Sequence, residues 1–269
     1  MRQSLGMPWK ADGRDQFFAG NPATAVTGIV TTYAPTLEVL RRAVAGKRNL
    51  IICRESPFWY HEGYYGAAPA LELLASDAAY RAKQEIIQSN QLVIWKFVDH
   101  WDARKTDGQL RGLAKALGWQ RFHRSKAKAG EEPYQPGDAF FKLPPTNLGA
   151  LARAIEASLK IQAVRVIGDP RVAIGKVAVM PGFTLVPDLR KILREPDVDA
   201  VVAGEPVEWE AAPYFQDVIA TGRKQGMILI GQQASSEPGS GEVAAWLKTF
   251  ISEVPVEWIP AGEPFWVLD

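Results

Sequence analysis

The sequence predicts an α/β fold. Three observations carry that expectation: short apolar runs of strand length, amphipathic stretches of helix length alternating with them, and strand ends that break into charged or amide side chains. The third is the most informative. Leu50-Ile51-Ile52-Cys53 stops at Arg54-Glu55-Ser56-Pro57, where proline forbids a continued ladder. Gln91 to Val98 runs into Asp99-His100-Trp101-Asp102, and Met227 to Gly231 into Gln232-Gln233-Ala234-Ser235-Ser236-Glu237. In open α/β sheets, ligands sit beyond the carboxyl ends of the strands. These termini are therefore the candidate site, and an α/β architecture could place them in one cleft.

The elements follow in order. Residues 1 to 20 read as an irregular arm anchored by Trp9, Phe17 and Phe18. Val26 to Thr32 is a strand. Thr36 to Ala45 is a helix, with Leu37, Leu40 and Val44 on one face and Gly46 as its stop. With the Leu50 strand this makes a βαβ unit, a connection that is almost always right-handed. Residues 64 to 77 are small and loop-like, Ser76 to Ser89 a helix, and Gln91 to Val98 a strand. A helix opens near Lys105 and ends at Leu117-Gly118, and His123 to Asp138 is a polar loop without a period. Leu148 to Leu159 is a helix, and Val164 to Ile167 and Lys176 to Met180 are strands, the second closed by a Pro181-Gly182 turn. Val186 to Leu193 is a helix, Ala200 to Ala203 a strand closed by Gly204-Glu205, and Ala212 to Thr221 a helix. After the Met227 strand come a helix from Glu242 to Ser252, a strand from Val254 to Ile259 and an aromatic tail from Glu263.

Composition removes several classes. The 269 residues are 47% hydrophobic, enough for one large or two modest cores. Lys plus Arg is 31 against 30 for Asp plus Glu, a net charge of +1 with no basic bias toward nucleic acid. No apolar run reaches membrane-spanning length and the N-terminus lacks a signal peptide's apolar core, so the expected location is cytoplasmic. Cys53 is the only cysteine, which excludes disulfides within the chain and Cys-rich zinc sites. Beside Arg54 it is either a reactive thiol or a packed core residue. No glycine-rich phosphate loop, dinucleotide fingerprint, nucleophile elbow or HExxH is present.

Five blocks carry a resemblance. They are IVTTYAPTLEVLRRAVAGKRNLIICRESPFW, VIWKFVDHWDARKTDG, VVAGEPVEWEAAPYFQDVIATG, ILIGQQASSEPGSGEVAAWL and IPAGEPFW. In order and spacing the chain resembles the Nif-three-like family, the conserved dinuclear-metal-centre proteins, from about Gly28 to Trp266. The resemblance implies two related α/β lobes with a cleft between them. We place lobe one at 1–120 with 222–269, and lobe two, inserted, at 121–221. It also implies a dimer-based homo-oligomer, including rings, and two divalent metals in the cleft. A GTP cyclohydrolase label attaches to some members.

The family's metal motif is broken here. Where it has His-His or His-Glu, this chain has Arg54-Glu55, and where it has a His followed four residues on by Asp or His, this chain has Val98 and Asp102. The Gly-His-x-x-Ser-Glu block reads Gly231-Gln232-Gln233-Ala234-Ser235-Ser236, with Glu237 one residue late. Arg54 brings a permanent cation that cannot ligate a metal, and its fork is able to bridge Glu55 and Asp102. The first expectation is therefore a degenerate centre without a cofactor. It would be a small-ligand-binding or interaction protein, with Arg54, Gln232 and Glu205 as ligand-facing or charge-balancing groups. The alternative keeps one metal on Glu55, Asp102 and Glu237. Such an oxygen set suits magnesium, manganese or calcium better than zinc. With His100 moving protons, it would support a hydrolase acting on a nucleotide-like or cyclic amide substrate. His100 beside Trp101 is also readable as a hydrogen-bonded structural residue. His61-Glu62 is a candidate cleft wall, and the aromatics Phe58-Trp59-Tyr60 would suit a planar ligand.

Overall fold

The computed structural model describes residues 1–59, 71–125, 127–128, 131, 133–135, 137–195 and 197–268, with residues 71–73 described in backbone only. The strands are β1 (Phe17–Ala19), β2 (Ile29–Thr32), β3 (Leu50–Cys53), β4 (Val93–Lys96), β5 (Phe140–Asn147), β6 (Arg165–Ile167), β7 (Ala173–Thr184), β8 (Ala200–Pro206), β9 (Gly226–Leu229) and β10 (Val256–Trp258). The helices are α1 (Leu37–Ala45), α2 (Leu71–Ser76), α3 (Ala78–Ser89), α4 (Asp99–Asp102), α5 (Gly108–Ala116), α6 (Leu148–Leu159), α7 (Val186–Arg194), α8 (Glu208–Ala220) and α9 (Gln232–Leu247). Among the described residues, no helix is long and apolar enough to cross a membrane.

The chain forms two compact units, Met1–Arg104 with Ser240–Ala261, and Lys105–Gly239 with Gly262–Asp269. Residues 105–120 and 222–239 lie in the second unit. The reason is burial. Leu110 and Leu113 of α5 join a core with Phe141, Leu148 and Ile228, and β9 is hydrogen-bonded to β8.

The first unit holds a sheet of order β1-β4-β3-β2-β10, parallel except for β1. A mostly parallel sheet buries both faces, and side chains alternate between them. Val30, Ile51, Cys53 and Ile94 meet Val39 and Leu40 of α1 and Ile87 of α3 on one side. Ile29, Ile52, Phe97 and Trp101 meet Val243, Trp246 and Leu247 of α9 on the other. Thr36 caps α1 by accepting from Val39 N–H, and Asp77 caps α3 by accepting from Tyr80 N–H. The second unit holds a sheet of order β5-β7-β8-β9-β6, with a parallel β7–β8–β9 centre and antiparallel edges. Its two cores are built on Val177, Val179 and Val202 on one face, and on Ala178, Val201 and Met227 on the other.

Some expectations are corrected. The stretch 64–77 ends in a helix, α2, rather than a loop. Pro181-Gly182 is no turn: β7 continues through it, and its register to β8 slips between Met180 and Phe183. β8 likewise runs past Gly204-Glu205 to Pro206, because the bulged β7 pairs Phe183 with Glu205. The largest difference is α9, which begins at Gln232 rather than Glu242. Its glycines are spacers: a Cβ on Gly239 would fall 2.1 Å from the Gln109 side chain, and one on Gly241 2.9 Å from the Trp258 ring. In β5, Pro144-Pro145 lies within a register shift between Lys142 and Thr146, on the outer edge of its sheet.

Candidate functional site

In the first unit, the register pairs Cys53 with Lys96, so β3 and β4 end side by side. Arg54 and Glu55 leave β3 with their backbone N–H groups donating to Tyr33 O at 3.1 and 2.8 Å. The Arg54 guanidinium then grips Asp102 with two parallel bonds, Nη1–Oδ1 and Nη2–Oδ2, both 2.9 Å. Such forks are among the stronger charge-assisted contacts. Burial works most strongly against the Arg54 charge, yet the Asp102 carboxylate, then Glu55 and Tyr33, outweigh it and raise its pKa further. Lys96 is buried as well. Desolvation pulls its ammonium down, with Glu55 opposing, so Glu55 acts electrostatically on both Arg54 and Lys96. On the flank, Arg14 binds Asp99 through Nε and Nη2 at 2.7 and 2.6 Å. Burial alone would raise Asp99; Arg14 reverses this and holds it below the usual carboxylate range.

The short helix α4 carries Asp102, and the N-terminal arm holds α4. The Asp15 side chain, 1% exposed, accepts from the backbone N–H groups of Val98, Asp99 and His100 and from His100 Nδ1. His100 Nε2 accepts the Lys10 N–H at 2.8 Å, which fixes the neutral tautomer with its proton on Nδ1. The ring lies flat on Trp9, centroids 3.8 Å apart. Both nitrogens are thus engaged in a buried stack. Cys53 is packed in the core with Val39, Leu40 and Ile94, and burial pushes its thiol up to about 12.

The other candidates belong to the second unit. Gln232 starts α9, and its carbonyl accepts Ser235 Oγ at 2.8 Å; Ser235 Oγ in turn accepts Gly182 N–H at 2.9 Å. Ser235, Ser236 and Glu237 are buried, whereas Glu205 is exposed on β8 opposite Phe183. The structure therefore gathers Arg54, Glu55 and Asp102 with His100 on a neighbouring residue of α4, and sets Gln232, Glu205 and Glu237 in the other unit. His61 and Glu62 lie outside the described residues. Within either unit, among the described residues, no three His, Cys, Asp or Glu side chains gather as a metal would require.

Asp15, Lys96 and Lys83 were missed in the sequence reading. Lys96 had a signal, as alternation along Gln91 to Val98 places it on the face of Ile94. Lys83 had one too, lying one helical turn from Tyr80 and Ile87 on the apolar stripe of α3. Asp15 had none, because its burial depends on a partner eighty-five residues away.

With this geometry in place, comparison with known families is decisive: residues 16–221 match the Duf34/NIF3 (NGG1p interacting factor 3) model. The chain belongs to that family. The Duf34/NIF3 fold is also seen in solved structures. The chain is similar to a Bacillus cereus protein related to NIF3, at 15% identity and TM-score 0.68, over 96% of this chain and 94% of that one. It is similar to a Staphylococcus aureus hypothetical protein at 16% identity and TM-score 0.66, over 96% and 93% of the two chains. HcgD from Methanocaldococcus jannaschii follows at 12% identity and TM-score 0.57, over 95% and 91%. At such identities the likeness is one of fold. No curated protein matches the sequence.

Proposed function

We propose that this Duf34/NIF3 protein has exchanged its family's metal centre for ion pairs, and that it binds a small ligand at the strand ends of its first unit. The observation that carries the reading is the Arg54–Asp102 fork. Both carboxylate oxygens of Asp102 are engaged by a guanidinium, a group without a lone pair for a cation. A divalent ion there would have to displace a partly buried arginine and meet its charge at close range. The donor set therefore does not fit a resident metal. The metal-dependent hydrolase reading has less support, because it asks His100 for a free ring nitrogen. We retain self-association of copies as part of the proposal, consistent with exposed Phe183, Leu185 and Trp209 on the second unit.

Elemental analysis of untagged protein, purified without chelator and then offered manganese or zinc, tests this. We expect no stoichiometric metal. Metal at one or two equivalents that vanishes in Asp102→Ala would overturn the reading and restore the hydrolase.

A further inference from the structure

Among the described residues, one charge near the strand ends has no carboxylate of its own. Lys83 of α3 is 4% exposed and interacts electrostatically with Cys53, the last residue of β3. Its Nζ donates to Pro57 O at 2.6 Å and lies 4.5 Å from the centre of the Trp59 ring. Among the described residues, no carboxylate pairs with it. Its neighbours contrast with it: Arg54 has Asp102, Arg14 has Asp99, and Lys96 has the field of Glu55. The nearby Cys53 thiol stays protonated and offers no counter-charge.

A buried ammonium on a carbonyl and an indole face is poorly compensated. Trp59 adds a second observation. It is 54% exposed although it covers a buried cation, and its φ of +60° is rare for a bulky residue and costs free energy. The indole is thus held over Lys83 by strained backbone, open to solvent on the other side.

We propose that Lys83 is the anion-recognition group of this ligand site, taking a carboxylate or phosphate oxygen, with Trp59 as the lid over it. The inference rests on the ligand-binding reading above and narrows its ligand to an anion. Pro57 O occupies one of the three ammonium donors, and an entering anion takes another as the indole swings away.

The test uses full-length protein and inorganic phosphate or acetate as probes, with melting temperature read against chloride at matched ionic strength. We expect both probes to stabilise the wild type. Lys83→Met, which keeps the apolar stem packed, should abolish the effect. Trp59→Leu, altering an exposed side chain, should lower the half-saturating concentration several-fold by removing the lid. Stabilisation that survives in Lys83→Met overturns the assignment, as does no stabilisation of the wild type. An unchanged or weakened response in Trp59→Leu overturns the lid. These outcomes are separate from elemental analysis: metal in the protein sinks the parent reading, whereas a Lys83-independent anion effect in metal-free protein sinks only this inference.

Discussion

Asp15→Asn is the most demanding test of how the site is built. The substitution keeps size and shape but replaces one carboxylate oxygen with an NH2 group. In the structure Oδ1 accepts from Val98 and Asp99 N–H, and Oδ2 from His100 N–H and Nδ1–H. Whichever oxygen is kept, two of these donors then face another donor. Hydrogen bonds to charged groups contribute about 1.5–3 kcal/mol each, and the two are not additive within one network. Leaving a buried donor without its acceptor costs about 1–3 kcal/mol. Since the amide retains half of the contacts, the expected loss is about 3 kcal/mol. At about 2–4 °C per kcal/mol for a domain of 150–250 residues, the melting temperature should fall by roughly 6–12 °C. Urea unfolding followed by tryptophan emission gives the energy, because Trp9, Trp95, Trp101 and Trp246 all pack in the first unit. Amide hydrogen exchange at Val98, Asp99 and His100 gives the location. A loss below about 1 kcal/mol, or unchanged protection at those amides, would refute the picture of α4 held by the arm.

Two further expectations concern buried titrating groups. Burial holds the Lys83 ammonium at about 8 against an ordinary 10.5, so between those values the unfolded chain binds a proton that the folded chain does not. Stability should therefore rise with pH across that window and be flat below it, by about 1–2 kcal/mol once solvent screening is allowed for. Cys53 acts in the opposite sense above pH 9, since its thiol stays protonated to about 12 only when folded. Cys53 and Lys83 act on each other electrostatically, so the urea midpoints of wild type and Lys83→Met are compared below pH 9, where the thiol is protonated in both states and the difference isolates Lys83. A difference that does not change with pH would contradict it. Cys53 should also resist thiol reagents at pH 8 in native protein and react at once in urea; rapid stoichiometric labelling of the folded chain would show the site to be open.

How much was legible depends on where each residue's partners lie. Leu50–Cys53 and Leu148–Leu159 are read correctly because periodicity and flanking residues are local. The Thr36 cap of α1 is local too. α9 defeats the same rules: Ser-Ser-Glu-Pro-Gly-Ser-Gly reads as a breaker, yet Gly239 and Gly241 are demanded by Gln109 and Trp258, both distant in sequence. β1 and β5 are invisible for a related reason, since each is a strand only through an antiparallel neighbour. At the site, the Arg54–Asp102 fork is legible through the family resemblance, which sets both residues at ligand positions, together with the need of a buried guanidinium for a carboxylate. The buried Asp15 and the shared field around Glu55 arise from tertiary packing, which no local pattern encodes.

The prolines of β5 have a consequence for the protein in concentrated solution. An outer strand offers its free N–H and C=O groups to any passing chain, and that is how sheets grow into aggregates. Pro144 and Pro145 supply no N–H, and they sit where the β5 ladder already slips, so an incoming strand meets a gap of missing donors. Pro255 and Pro260 flank the short β10 at an edge of the other sheet. At these two borders an approaching chain is met by side chains, whose fit is specific, rather than by open backbone, whose pairing is not.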